Sequence, residues 1–205
     1  GAEPGDFKHW ADRFSVPLVI IDREAKLNSP EVYLVRSDEA QGMELAIDHL
    51  YSRGCRKTGC IIHGKPGTGN ADIRHEAICR ILKKKGLPAN DALIHFGSDE
   101  EYLEIIGKLL RHRIDSLFCP GGSGGILAAY ALSLFGRQIP EDISLIASEQ
   151  TFFSRYGTPP QTTITPDYKA MASSVADVIE SRIGGQKFPP RTVLPYLLIQ
   201  RESVR

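Results

Sequence analysis

Short β-rich apolar runs at 17–21, 32–35, 58–63, 92–96, 116–119, 143–147 and 193–199 predict strands. Between them, apolar residues recur at helical spacing. Met43, Ala46, Ile47 and Leu50 make one helix face, and Ala77, Ile78, Ile81 and Leu82 make a second. Tyr102, Ile105, Ile106, Leu109 and Leu110 make a third, Leu127, Tyr130, Ala131 and Leu134 a fourth, and Met171, Val175, Val178 and Ile179 a fifth. Gly54, Gly86, Gly136 and the Gly184-Gly185 pair fall just past periodic stretches, where a helix commonly ends on a left-handed residue. The run at 58–63 is apolar at nearly every position, as a strand covered on both faces requires. Alternating β and α with short links predicts an α/β protein with parallel, doubly wound sheets.

Composition narrows the function classes. The 205 residues are 41% apolar and 24% charged, and 25 basic side chains balance 25 acidic ones. Domains usually hold about 100–150 residues, so the chain forms one large domain or two small lobes. Zero net charge argues against a chain built mainly to grip phosphate backbones. The first apolar run is broken by Pro17 and followed by Asp22-Arg23, far short of the ~20 residues that span a bilayer. Gly1 to Asp6 lacks the basic start and apolar stretch of a secretory signal. Cys55, Cys60, Cys79 and Cys119 include no CxxC and suggest reduced thiols in the cytosol rather than a disulfide framework or a metal site. No cofactor motif is present.

Ligands of open α/β sheets bind beyond the carboxyl ends of the strands, so the residues that follow each run are the candidate site. After Val35 comes Arg36-Ser37-Asp38-Glu39-Ala40-Gln41-Gly42, a polar turn opening a helix that Ser37 or Asp38 could cap. After His63 comes Gly64-Lys65-Pro66-Gly67-Thr68-Gly69-Asn70, whose lysine stands at the wrong end for a P-loop. The helix that follows is expected to open near Asp72, which puts Arg74 in its first turn, where the helix dipole disfavours a cation. Either a ligand hydroxyl or carboxylate or a nearby Asp or Glu would answer that guanidinium. After Cys119, Pro120-Gly121-Gly122-Ser123-Gly124-Gly125 matches GxSxG, which raises a serine hydrolase using Ser123 as a remote alternative. All the histidines precede Ser123, against the hydrolase order, so backbone amide donors at a glycine-rich turn are the preferred reading and no catalytic residue is assigned. After Ala147, Ser148-Glu149-Gln150 brings a carboxylate and an amide to a strand end. His75 and Cys79, four apart on a helix, are read as packing rather than as metal ligands.

Several stretches, in order along the whole chain, carry a family resemblance. They are Val16-Pro17-Leu18-Val19-Ile20-Ile21-Asp22-Arg23, Asp38 with Gly42 and His49-Leu50, and Arg53-Gly54-Cys55-Arg56-Lys57. They continue through Arg74 with Leu82 and Gly86, Ile139-Pro140-Glu141-Asp142-Ile143-Ser144, and Tyr156-Gly157-Thr158-Pro159-Pro160-Gln161-Thr162-Thr163-Ile164. The chain closes on Leu198-Ile199-Gln200-Arg201-Glu202-Ser203. It resembles the effector-binding core of LacI/GalR-type transcriptional regulators, which are similar to periplasmic sugar-binding proteins.

The resemblance implies a two-lobed, periplasmic-binding-protein-like fold around a small-molecule cleft, with three passages of chain between the lobes. By that analogy residues 1–55 and 164–188 form a partial N-terminal lobe and 56–163 and 189–205 the C-terminal lobe. The DNA-binding headpiece and the first part of the N-terminal lobe have no counterpart in the sequence, so operator DNA would be read only through a helix-turn-helix that is absent here. The implied effector residues are Arg74, Glu149, Gln41, Gly121, Gly122 and Ser123. Where many members carry Asn-Asp, this chain has Gly121-Gly122, and where they carry Asp-Asp it has Glu149-Gln150. Those departures weaken the case for a hexose effector. The implied protein is a cytoplasmic, homodimeric, non-enzymatic regulator that senses a small polar molecule. The alternative is a stand-alone periplasmic-type sugar-binding protein.

Overall fold

The computed structural model describes residue 13, residues 17–23, residue 27 and residues 30–205. The expectations for residues 1–6, for His9 and for Val16 lie outside the described residues. Strands β1 (Leu18–Ile21), β2 (Val32–Ser37), β3 (Thr58–His63), β4 (Ile94–Gly97), β5 (Ser116–Cys119), β6 (Ser144–Ser148), β7 (Thr162–Pro166), β8 (Arg191–Leu194) and β9 (Tyr196–Ile199) build two sheets. The helices are α1 (Glu39–Ser52), α2 (Gly69–Lys84), α3 (Tyr102–Arg111), α4 (Gly124–Leu134), α5 (Thr151–Tyr156) and α6 (Tyr168–Ile183). A short 3-10 turn, Asp99–Glu101, precedes α3.

The chain divides into two compact units, 1–38 with 166–195 and 39–165 with 196–205. In the first, the strand order is β1-β2-β8, all parallel, with Leu18 opposite Val32 and Leu34 opposite Arg191. β2 is buried along its whole length because its two faces serve different clusters. Val32 and Leu34 pack with Ile20 and Leu27, whereas Tyr33 and Val35 pack against Met171 and Val178 of α6. Arg182 of α6 closes on Glu31 at 2.6 Å.

In the second unit the order is β4-β3-β5-β6-β7-β9, and the pairs from β4 to β7 are parallel. The buried core runs through Ile61 and Ile62 of β3, Leu117 and Phe118 of β5, and Leu145 and Ile146 of β6. Met43, Ala46, Ile47 and Leu50 of α1 join that same core. Burial of Met43, Ile47 and Leu50 contributes about 1.5–3 kcal/mol each, which is why α1 belongs to this unit. The expected lobe boundary at 55 therefore moves to 38.

Three other expectations change. The run read as one strand at 193–199 is two, because Pro195 supplies no N–H to a ladder. Its first half, β8, pairs with β2 in the first unit, and its second half, β9, lies beside β7 in the second, so the boundary expected at 189 falls at 195. β7 and α5 are not among the expected elements, because β7 reads Thr-Thr-Ile-Thr-Pro, with buried threonines in place of an apolar run, and α5 is too short to show a period. α2 opens at Gly69 rather than near Asp72, so Arg74 stands in its second turn, and the dipole argument at that residue lapses.

Candidate functional site

Three parallel strands of the second unit end side by side, and their exits carry most of the polar residues singled out from the sequence. β3 ends at His63, β5 leads into Pro120-Gly121-Gly122, and β6 ends at Ser148 before Glu149-Gln150. The His63 N–H donates to the Pro120 carbonyl at 3.2 Å, and the Gly121 N–H donates to Ser148 Oγ at 2.7 Å, so the three exits are tied together. Gln150 Nε2 adds a bond to the Gly122 carbonyl at 2.7 Å.

Arg74 reaches this place from α2, and its anion comes from α1. Its Nε donates to Glu39 Oε2 at 2.7 Å and its Nη2 to Glu39 Oε1 at 2.8 Å, a two-pronged pair of the kind a planar guanidinium favours. Asn70 Nδ2 donates to the same Oε1 at 3.1 Å. The Glu39 side chain is 1% exposed and that of Arg74 16%, so both charges are taken out of bulk water. Burial alone would push the arginine's pKa down. Hydrogen bonding to and Coulomb attraction by Glu39, with a further contribution from Tyr196, hold it above the ordinary value. Of the two partners that the sequence allowed for this guanidinium, the structure supplies the carboxylate.

Gly121 and Gly122 make room for that arrangement. Their φ angles are +90° and +55°, in the left-handed region where side chains are strained. A Cβ on Gly121 would stand 2.5 Å from Arg74 Nη1, and one on Gly122 would stand 2.6 Å from His63 Nδ1. The space that side chains at these two positions would take is filled by a guanidinium and an imidazole from the same chain. His63 in turn faces Asp99, Nδ1 to Oδ1 3.5 Å, with both side chains partly exposed.

Gln41 joins from the side. Its Oε1 accepts the Tyr196 N–H at 2.8 Å, and the Tyr196 ring lies against Gly42, where a Cβ would come within 2.7 Å of Cδ2. Glu149 and Ser123 adjoin Gln150 and Gly122 along the chain. The Glu149 carboxylate is taken by Arg201, at 2.9 and 3.0 Å, and by the Thr163 hydroxyl, in an ion pair with both side chains under one fifth exposed. Ser123 precedes the first residue of α4 and makes no capping bond through its side chain. Gly124 is closely packed as well, since a Cβ there would meet the Tyr102 hydroxyl at 2.5 Å.

The structure thus brings Arg74, Gly121, Gly122 and Gln41 into one neighbourhood and adds Glu39, His63, Asn70, Gln150 and Tyr196. The missed residues are partners at long range: Glu39 lies 35 positions from Arg74 and Gln41 lies 155 from Tyr196, beyond any periodic signal. His75 and Cys79 are in contact, Nε2 to Sγ 3.7 Å, and the His75 ring stacks on Phe96, which is packing. Among the described residues no group of three or more His, Cys, Asp or Glu could hold a metal ion. No helix among them is long and apolar enough to cross a membrane.

Mostly parallel sheets in two units define an α/β fold of the periplasmic-binding-protein-like class, and sequence comparison gives its family. Residues 47–204, more than half of the chain, match the periplasmic binding protein-like domain, and the chain belongs to that family. It is homologous to LacI/GalR-family regulators, and that membership supports a non-catalytic role. It is 28% identical over 193 residues to the HTH-type transcriptional regulator DegA of Bacillus subtilis, covering 92% of this chain and 56% of that protein. It is 27% identical over 200 residues to the HTH-type transcriptional repressor PurR of Haemophilus influenzae, covering 93% and 58%. The chain therefore spans a little over half the length of these curated relatives. A LacI transcriptional regulator from a Rhodococcus species has the same fold, with a TM-score of 0.83 and 25% identity over 99% of this chain and 74% of that one. So does a sugar-binding LacI-family regulator of Escherichia coli complexed with phosphate, with a TM-score of 0.82 and 21% identity over 98% and 73%.

The Glu39–Arg74 pair generates a stability prediction. Removing one partner of a buried pair strands the other charge, at a cost of about 3–5 kcal/mol, whereas replacing both with apolar residues costs far less. Glu39→Leu and Arg74→Met should each lower urea-unfolding stability by about 3 kcal/mol, and the double variant by well under their sum. Additive losses would show that the two side chains do not pair.

Proposed function

We propose that this chain is the effector-sensing and dimerisation core of a cytoplasmic LacI/GalR-type transcriptional regulator. A small polar molecule is bound at the strand exits of the second unit, and its binding alters the operator affinity of a DNA-binding segment outside this chain. The observation that carries the reading is the convergence of His63, Arg74, Gly121, Gly122 and Gln150 at adjoining strand ends, in a chain homologous to such regulators along nearly its whole length. Coupling requires only that the molecule bind two states of the protein with different affinity.

The chemistry of the exits bears on the ligand. Arg74 already holds Glu39 with two of its nitrogens, and no side chain projects from Gly121 or Gly122. A hexose, which needs several side chains to answer its hydroxyl pairs, is poorly served. On this reading the His63 ring and the Gln150 side-chain carbonyl meet the ligand, the Gln150 Nε2 being held by the Gly122 carbonyl, with Gln41, Ser123 and Glu149 in supporting positions. The exposed aromatic rings of Phe152, Phe153 and Tyr156 on α5, with Tyr130 and Leu134 of α4, give a second copy of the chain an apolar face to cover.

A thermal-shift screen of sugars, sugar phosphates, nucleobases and amino acids tests the ligand reading. A true ligand at a hundredfold excess over its Kd stabilises the fold by about 2.7 kcal/mol. The gain should shrink in His63→Ala and Gln150→Ala, and an undiminished gain in both would place the ligand elsewhere. In sedimentation equilibrium the chain should have the mass of two copies and Phe152→Asp/Tyr156→Asp the mass of one; a single-copy mass for the unaltered chain would contradict the dimer.

A further inference from the structure

At the other end of the second unit's sheet, the C-terminal ends of α3 and α4 pack together and leave a groove between them. Its floor is Gly107, Leu110 and Phe135, and its rims are Arg111 and Arg137. It continues, through the shared Leu110 and Arg137, into a hollow lined by Arg113, Ile114, Asp142 and Ile143. Gly107 is what opens it: a Cβ there would stand 3.2 Å from the Phe135 ring. Phe135 is 42% exposed and all three arginines are exposed.

None of Arg111, Arg113 and Arg137 forms an ion pair among the described residues, although the chain as a whole carries equal numbers of acids and bases. Two carboxylates lie near, Asp142 in the hollow and Glu141 on the far side of Arg137, and neither forms an ion pair with these arginines. Asp142 Oδ2 accepts the Gln138 N–H at 2.9 Å, and Glu104 pairs with Lys108 at 2.6 Å. A helix C-terminus favours one cation in its last turn, which accounts for Arg111. It does not account for Arg113. The helices α1, α2, α4 and α6 turn out on left-handed glycines, Gly54, Gly86, Gly136 and Gly185, whereas α3 does so on Arg113 at φ +55°. Glycine is the less strained residue there, so an arginine at that turn is held against a conformational cost.

We propose that this groove docks an acidic segment of a partner protein, one apolar side chain of the segment lying against Leu110 and Phe135 and its carboxylates meeting Arg111, Arg113 and Arg137. Charge complementarity selects an anionic partner, and the apolar floor selects a peptide over a phosphate backbone, which has nothing to lay there. Helices antiparallel to parallel strands put this groove at the end of the sheet away from His63 and Gln150, so it is separate from the proposed ligand site.

The test is fluorescence anisotropy of the chain with a labelled peptide alternating glutamate and leucine. It runs against a peptide with every glutamate changed to glutamine, one with every leucine changed to serine, and a labelled DNA duplex. The Glu-Leu peptide should bind, and Arg111→Glu/Arg137→Glu should weaken it about tenfold, as should Phe135→Gln. Arg113→Gly should weaken it while raising the Tm, which separates a docking role from a structural one. Both control peptides should bind about tenfold more weakly. Failure of the Glu-Leu peptide to bind, equal binding of all three peptides, indifference to the arginine reversals, or a duplex that competes for the same arginines would each overturn the proposal. His63→Ala should leave this binding unchanged, so a failed ligand screen and a failed peptide titration are independent results.

Discussion

A carboxylate shut away from water sets the terms for the candidate site. Glu39 opens α1 with its side chain almost wholly buried, and a bare charge in that position would be several kcal/mol out of balance. Arg74 cancels it with two parallel hydrogen bonds and Asn70 adds a third. Since α1 carries Glu39 and α2 carries both donors, the pair fixes the register of one helix against the other. The fixed guanidinium then occupies the volume a side chain at Gly121 would need, as the His63 ring occupies that of one at Gly122. The small residues of the turn and the ion pair are two halves of one packing solution.

This arrangement changes what the fold can offer a ligand. In a cleft with a free arginine, the guanidinium fork is the obvious anchor for hydroxyls or carboxylates. Here its two best-directed bonds are spent within the chain, and Glu149, the other expected anchor, is likewise spent on Arg201. On the proposed reading, recognition passes to His63 and Gln150, a donor–acceptor ring and an amide that suit a flat or heteroatom-bearing molecule better than a ring of hydroxyls.

Much of the fold was legible because its signals are local. The runs at 58–63 and 116–119 became β3 and β5 with unchanged bounds, and all five amphipathic stripes became helices. The core side of α4, however, is Ala128, Ala131 and Leu132, with Tyr130 and Leu134 of the expected stripe exposed, and on α6 Met171 and Val178 are buried while Ile179 is exposed. The misses have physical causes. The buried threonines of β7 satisfy their hydroxyls through distant groups, as Thr162 does with the Arg201 carbonyl, so the strand has no apolar signature. Pro195 divides two strands that belong to different sheets, which a single apolar run conceals. At the site, strand exits were found from the pattern, but the partners that decide each side chain's role lie 35 and 52 positions away, for Arg74 and Glu149 respectively. An ion pair at such range leaves no trace in periodicity.

Nuclear magnetic resonance of the arginine side chains tests the central claim, that Arg74 is held by Glu39 rather than left open to solvent or ligand. The account predicts one Nε–H resonance, lost in Arg74→Lys, that exchanges slowly with water and moves to the position and exchange rate of a free arginine in Glu39→Gln. An Arg74 signal that exchanges as fast as the exposed arginines in the unaltered chain would contradict it.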